Sequence, residues 1–212
     1  MNSTPFTFDS SAHTYHMNGV LVPGCTGVLA TGGLVNFQYV TEEILERKSE
    51  LGREVHRACH LHNLGTLLTY DPKVKPYLHS WITFKEKTKY KPEQSEFQCI
   101  GWVNGLPFGM QIDNCGIVDN HEAIIELKIG EVYPHHGIQL AGYAAGLPHD
   151  KLKTPLARFM ARKRYVVQLR ESGLPKTHEF SAYSDFEVFA SLLYVSGWKK
   201  QFKEVYLKGE KP

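Results

Sequence analysis

The sequence predicts an α/β protein in which a mixed central β-sheet is flanked by helices and preceded by a small N-terminal β-hairpin. Three observations carry this. Between Glu96 and Lys128 the period is that of strands, and Asn104-Gly105 and Asp119-Asn120 supply two tight turns. Before that stretch, residues 41–63 and 72–90 place apolar side chains at helical spacing. After it come a helix, two strands and a final helix.

Taken in order, residues 6–22 alternate polar and apolar positions around Asn18-Gly19, a strong short hairpin signal, and reach Pro23-Gly24. From Thr41 to about Asn63 a helix is expected, with a break near Ser49; Ile44, Leu51, Val55 and Cys59 fall on one face, and His56 lies in this segment. Asp71-Pro72 opens a second helix carrying Val74, Leu78, Trp81, Ile82 and Phe84. Strands are expected near 95–103, 107–118 and 121–129, a helix over 135–147, and strands over 159–170 and 177–182. The Ser184-Asp-Phe-Glu187 run reads as a capping box that starts a final helix, with Phe189, Leu193 and Trp198, to about Leu207.

The chain has 212 residues, 42% hydrophobic and 22% charged, which fits one domain over 1–212 and argues against a disordered or coiled-coil chain. With 24 basic and 22 acidic residues, net charge does not predict nucleic-acid binding, so that must rest on local sites. The N-terminus MNSTPFTFDS lacks a basic stretch followed by an apolar core, and no uncharged apolar run reaches the roughly 18 residues needed to cross a bilayer, so a cytoplasmic location is expected. Cys25, Cys59, Cys99 and Cys115 are dispersed without a CxxC pair, which suggests neither a zinc knuckle nor a disulfide scaffold; reduced, partly buried thiols are expected.

Chemistry concentrates in Gly109-Met-Gln-Ile-Asp113 and Ile124-Ile-Glu126-Leu-Lys128. If Asp119-Asn120 is a two-residue turn, Val118 faces His121, and counting outward sets Asp113 opposite Glu126 with Lys128 on the same face. The other face would present Met110, Ile112, Ala123, Ile125 and Leu127 to the core. Opposed carboxylates repel unless a cation or a shared proton neutralises them. Neutralising Asp113 is therefore expected to stabilise the metal-free protein. Oxygen ligands on a hairpin suit Mg²⁺ or Mn²⁺, and Lys128 would orient or deprotonate an attacking water and stabilise charge on phosphorus. Glu126 with Lys128 is also compatible with an incidental solvated pair; their joint register with Asp113 argues for phosphodiester hydrolysis.

These residues resemble the PD-(D/E)XK nuclease superfamily, specifically its RecB-like and phage-type exonuclease branch. FTFDSSAHTYHMNGVLVPGCTGVL is similar to the N-terminal segment of many members, ELGREVH to the helix carrying that branch's histidine, IDNCGIVDNHEAIIELKIG to the acidic hairpin, and HHGIQLAGYAAG to the following QxxxY helix. The four pieces run in family order. The resemblance implies a restriction-endonuclease-like fold in which Asp113 and Glu126 bind metal, Lys128 is the catalytic lysine, His56 is an added metal ligand and the Leu127 carbonyl a further one. It sets Gln139 and Tyr143, four apart on one helical face, beside the scissile phosphate. Two departures are Ile112 where the family has proline and Ile129 where a threonine is common.

The implied function is a Mg²⁺- or Mn²⁺-dependent deoxyribonuclease, an exonuclease of phage or bacterial DNA recombination and repair, with DNA as partner, no membrane and room for a homo-oligomer. Its rival is a catalytically silent DNA-binding or assembly protein that keeps the fold; the intact Asp113, Glu126 and Lys128 speak against it. His56, His60 and His62 invite a zinc reading, yet they lack the Glu of HExxH. Gly52, one turn before His56, would let another backbone approach the helix. Glu96 reads as an exposed strand residue, and His135-His136 carry no assigned role. From Lys151 to Arg170 the chain has basic residues and no acidic one, so Arg158, Arg162, Lys163 and Arg164 are candidate DNA-phosphate contacts.

Overall fold

In a computed structural model, which describes residues 6–35 and 42–206, the chain forms two sheets and six α-helices. Strands β1 (Phe6–Asp9), β2 (Thr14–Met17) and β3 (Val20–Val22) make a three-stranded antiparallel sheet. The Asn18-Gly19 turn joins β2 to β3 with both residues at positive φ, 51° and 76°. Thus the expected hairpin is present and gains a third strand. This sheet docks on the main one at Gly109, whose N–H donates to the Pro23 carbonyl at 2.8 Å and where a Cβ would run into the Tyr15 ring.

The main sheet has the order β4 (Lys91–Val103), β5 (Leu106–Val118), β6 (His121–Lys128), β7 (Lys163–Gln168) and β8 (Lys176–Glu179). Pairing is antiparallel except between β6 and β7, which are parallel. The architecture is the mixed sheet flanked by helices that the sequence predicts. Helices α1 (Cys25–Thr31), α4 (His135–Gly146), α5 (Pro155–Ala161) and α6 (Ser184–Tyr206) bury one face around Phe108, Met110, Leu140, Phe159 and Phe189. Helices α2 (Glu42–Asn63) and α3 (Lys75–Thr88) cover the other around Val55, Trp81, Phe84, Ile125 and Leu127. No helix among the described residues is long and apolar enough to cross a membrane.

Several elements differ from the sequence expectations. Helix α2 runs through Ser49 without a break, and Thr41 and Leu207, the expected ends of two helices, lie outside the described residues. Residues 159–161, expected as strand, close α5: Thr154 accepts from the Ala157 N–H at 3.2 Å and Pro155 fills the first turn, a capping arrangement that outweighs the apolar run. Helix α6 begins at Ser184 itself, one residue beyond a cap position. All four cysteines are free thiols.

The largest correction concerns the faces of β5. Phe108, Met110 and Ile112 pack in the α4 cluster, whereas Ala123, Ile125 and Leu127 pack beneath α2 and α3, so these residues do not share one face. Asn114, two residues past Ile112, donates no apolar surface to the α4 side and instead accepts from Asn63 of α2 at 2.7 Å. Cys115 is back in the α4 cluster. Strict alternation is therefore broken at Asp113. Glu96 sits across from it in the β4–β5 register, between the pairs Ser95–Asn114 and Phe97–Ile112, and has φ of 50°. Both strands reverse their facing at this row.

The basic stretch is mostly structural. Arg158 donates to the carbonyls of Ala145 at 2.7 Å and Lys153 at 3.0 Å; Arg162 donates to those of Ala144 at 2.9 Å, Leu147 at 2.8 Å and Pro148 at 3.1 Å and pairs with Glu122. Apart from that of Lys153, which precedes α5, these carbonyls lie at the C-terminal end of α4 and just past it, where backbone acceptors lack partners within the helix. Arg164 donates to the Phe180 and Ala182 carbonyls and lies 4.0 Å over the Phe159 ring. All three arginines are buried, which removes them as DNA contacts; Lys163 is exposed but pairs with Glu179 at 2.8 Å.

Arg162→Leu is therefore expected to lower unfolding stability by about 2–4 kcal/mol, because three carbonyls lose their donor. Lys163→Ala, on an exposed pair, should leave the urea midpoint unchanged. Urea titrations of the two variants check the contrast.

Candidate metal and phosphodiester site

The turn at Asp119-Asn120, with φ of 46° and 67°, sets Val118 opposite His121, and the β5–β6 pairing runs out to Asn114–Ile125. Asp113 and Glu126 occupy the next position in that register. There the pairing ends, and the Leu127 N–H donates to Oδ2 of Asp113 at 2.7 Å. A side-chain carboxylate thus satisfies a backbone donor where the sheet opens. With Glu96 in the same row on β4, three carboxylates lie side by side across three strands.

Helix α2 brings His56 to this row. Its Nδ1 lies 3.1 Å from Oε1 of Glu96 and 3.5 Å from Oδ1 of Asp113, and one ligand atom from each of the three falls within 4.8 Å of the others. The helix is tied in place one turn further on and at its end. His60 Nδ1 is 2.7 Å from the Ser95 hydroxyl. Asn63 donates to Asn114, while its Oδ1 accepts from the Trp81 indole at 3.1 Å and from Lys85 at 2.9 Å. Helix α4 approaches from the opposite side: Gln139 Nε2 donates to Oε1 of Glu126 at 3.1 Å and to the Tyr143 hydroxyl at 3.0 Å. Lys128 Nζ donates to the same Glu126 oxygen at 2.6 Å. His56, Asp113, Glu126, Lys128, Gln139 and Tyr143 all line a cleft of about 840 Å³.

The charges are unequal. Burial raises the Glu126 pKa and the neighbouring Asp113 carboxylate raises it further, against the pull of Lys128. Asp113 is also penalised by burial, yet the His56 imidazole, Lys128 and the Leu127 N–H hold it below the ordinary carboxylate range. Burial works against charged His56 and Lys128, but the surrounding carboxylates keep both above their ordinary values. A carboxyl whose pKa rises on folding weakens the fold as pH climbs through the raised value; one whose pKa is depressed strengthens it above its ordinary value. The electrostatic conflict between opposed carboxylates is present, and it falls on Glu126 rather than on Asp113.

Glu96 is the residue that sequence reasoning missed. Its signal was its register: it is the β4 partner of Asp113 once the Asn104-Gly105 turn is counted outward. The donor set of one imidazole nitrogen and carboxylate oxygens suits Mn²⁺ or Mg²⁺. Glu126 stands slightly apart from it, turned toward Lys128 and Gln139, and Leu127 contributes its backbone N–H to Asp113. Tyr143 is buried behind Gln139, with its hydroxyl pKa pushed well up by burial. His60 and His62 are turned to Ser95 and Lys85, so the zinc alternative does not assemble; the His56, Glu96 and Asp113 group is the one cluster of metal-ligating side chains among the described residues. Gly52 admits no close backbone: a Cβ there would meet nothing within 4 Å.

No protein family and no curated protein matches the sequence. Among solved structures, the chain is similar to an exonuclease candidate from Eubacterium rectale at 13% identity and a TM-score of 0.46, over 88% of this chain and 74% of that one. It is also similar to SSO0001 at 16% identity and a TM-score of 0.35, over 82% and 83% of the two chains.

In metal-free protein, Glu126→Gln is expected to raise the melting temperature, since it removes the carboxylate that burial and Asp113 oppose. Asp113→Asn should lower it, because the Leu127 N–H and His56 lose a charged acceptor. Paired thermal melts in EDTA would reverse this assignment if Asp113→Asn were the stabilising change.

Proposed function

We propose that this chain is a metal-dependent deoxyribonuclease of the PD-(D/E)XK kind, hydrolysing phosphodiester bonds with Mg²⁺ or Mn²⁺. The single observation that carries the reading is the row of Glu96, Asp113 and Glu126 across three strands, with His56 within reach of the first two and Lys128 paired with the third. Three ionised carboxylates outnumber the His56 and Lys128 cations beside them, and burial with Asp113 alongside disfavours charged Glu126. His56, Glu96 and Asp113 would hold the ion, with Glu126 swinging from Lys128 to join them. A divalent cation there supplies Lewis acidity to a phosphoryl oxygen and makes water a competent nucleophile near neutral pH.

The remaining steps belong to the side chains. In the metal-free site the carboxylates favour charged Lys128; beside the bound ion it would orient or deprotonate the attacking water and stabilise charge developing on phosphorus. Gln139 fixes the Glu126 carboxylate, and Tyr143 fixes Gln139. These two are positioning residues in this reading. The exonuclease form follows from the sequence resemblance, as do a place in phage or bacterial recombination and repair.

Incubating linear and circular DNA with Mg²⁺, Mn²⁺ or EDTA tests the function. Metal-dependent loss of linear DNA alone is expected; nicking of circles would make it an endonuclease, and no cleavage with either ion would leave the silent, DNA-binding alternative. Lys128→Ala should lower turnover by about 10²–10³ or more while preserving metal binding. Near-normal turnover would remove Lys128 from the mechanism. Mn²⁺ at about a hundred times its dissociation constant should stabilise wild type by about 2.7 kcal/mol, and both His56→Ala and Glu96→Ala should lose most of that shift, which metal titrations followed by thermal melts would detect.

A further inference from the structure

The cleft that contains the carboxylate row has walls of a different character from its floor. On one wall Tyr133 is 53% exposed and stacks on His135, with ring centroids 5.6 Å apart and planes 13° from parallel. His135 in turn meets His136 edge-on at 4.4 Å. Leu29, Leu34 and Glu131 also line the cleft, and Lys128 is its one lysine or arginine among the described residues. A duplex is held through its phosphates by several cations, so a cleft with one cation and an exposed aromatic pair favours an unpaired base that can stack.

The backbone that carries the ledge is pinned by two hydrogen bonds. The Tyr133 N–H donates to Nδ1 of His136 at 3.0 Å, and the His136 N–H donates back to the Tyr133 carbonyl at 3.1 Å, at the start of α4. This reciprocal pair needs His136 neutral, and burial with help from nearby Lys128 holds its pKa down to about 3. An aromatic surface fixed in advance binds without the cost of ordering it. On the far side of His56 and Gln111, which line both hollows, a second hollow of about 430 Å³ is lined by Arg53 and Arg57 on α2. The hollow with the aromatic ledge and the one with the arginines thus meet at His56 and Gln111.

We infer that the substrate is single-stranded DNA, an unpaired base stacking on the Tyr133–His135 ledge while its backbone crosses the carboxylate row. The inference rests on the nuclease reading and adds what that reading leaves open, the strandedness of the substrate and the residue that grips the base. Tyr133 would act on binding alone: it lies outside the row, stacked on His135.

The test uses the full chain with Mn²⁺ and three substrates: a single-stranded oligonucleotide containing 2-aminopurine, the blunt duplex of the same sequence, and methyl p-nitrophenyl phosphate, which has no base. Wild type should cleave the single strand faster than the duplex and quench 2-aminopurine fluorescence on binding. Tyr133→Ala should raise KM for the single strand by about 5- to 150-fold, the loss of one stacked base, and abolish the quench. Its turnover of the base-free ester should stay within about twofold of wild type, and Tyr133→Phe should behave as wild type on all three. A KM change below about twofold in Tyr133→Ala, or duplex cleavage as fast as single-strand cleavage, would overturn the inference and leave the nuclease reading standing. Failure of wild type to hydrolyse any of the three substrates would overturn both.

Discussion

The hydrogen bond from the Leu127 N–H to Oδ2 of Asp113, at 2.7 Å, is the constraint on which the site depends. A sheet that continued its ladder through this row would spend that donor on backbone and turn Asp113 to one face like any strand residue. Here the carboxylate itself closes the ladder, the facing of β5 reverses, and the row opens into the cleft between α2 and α4. The positive φ of Glu96 belongs to the same event on the neighbouring strand. An irregularity that would weaken an ordinary sheet is what lets His56 from one side and Gln139 from the other reach neighbouring carboxylates, Asp113 and Glu126.

Such a row needs rigid support, because charges that repel would otherwise move apart. On the α2 side the support is polar: Asn63 bonds Asn114, Trp81 and Lys85, joining β5, α2 and α3 next to Asp113. On the α4 side it is a tightly packed interface, where a Cβ on Gly142 would run into the Phe189 ring of α6. Buried polar networks of this kind stabilise only when every member finds a partner, and each of these side chains does. The rigidity keeps Glu126 next to Asp113 despite the penalty recorded in its raised pKa, a strain of the sort that functional sites retain.

The basic stretch after α4 shows how charge in a sequence can mislead. Seven basic residues without an acidic neighbour between Lys151 and Arg170 look like a phosphate-binding track. Arginine, however, also suits the carbonyl-rich end of a helix, where one planar guanidinium answers several acceptors at once. Arg158 and Arg162 do this for α4, and Arg164 does it for the segment after β8. The cations that face the cleft are instead Lys128 at its floor and, in the adjoining hollow, Arg53 and Arg57 of α2.

The sequence by itself determined the mixed α/β layering, the two turns that fix the register of β4, β5 and β6, and therefore the row holding Asp113 and Glu126. Those features are local: a turn with two positive φ values sets a register, and a register sets which residues face each other. Helix α5 was hidden because it is short and its last residues run into the apolar stretch that reads as strand from 159. Only the tertiary structure decided that β5 changes face at Asp113, that Glu96 joins His56, that Glu126 carries the electrostatic penalty and that three arginines are buried. Each of these depends on which helix lies over which face of the sheet, and helices packed from distant parts of the chain leave no periodicity in the strand they cover.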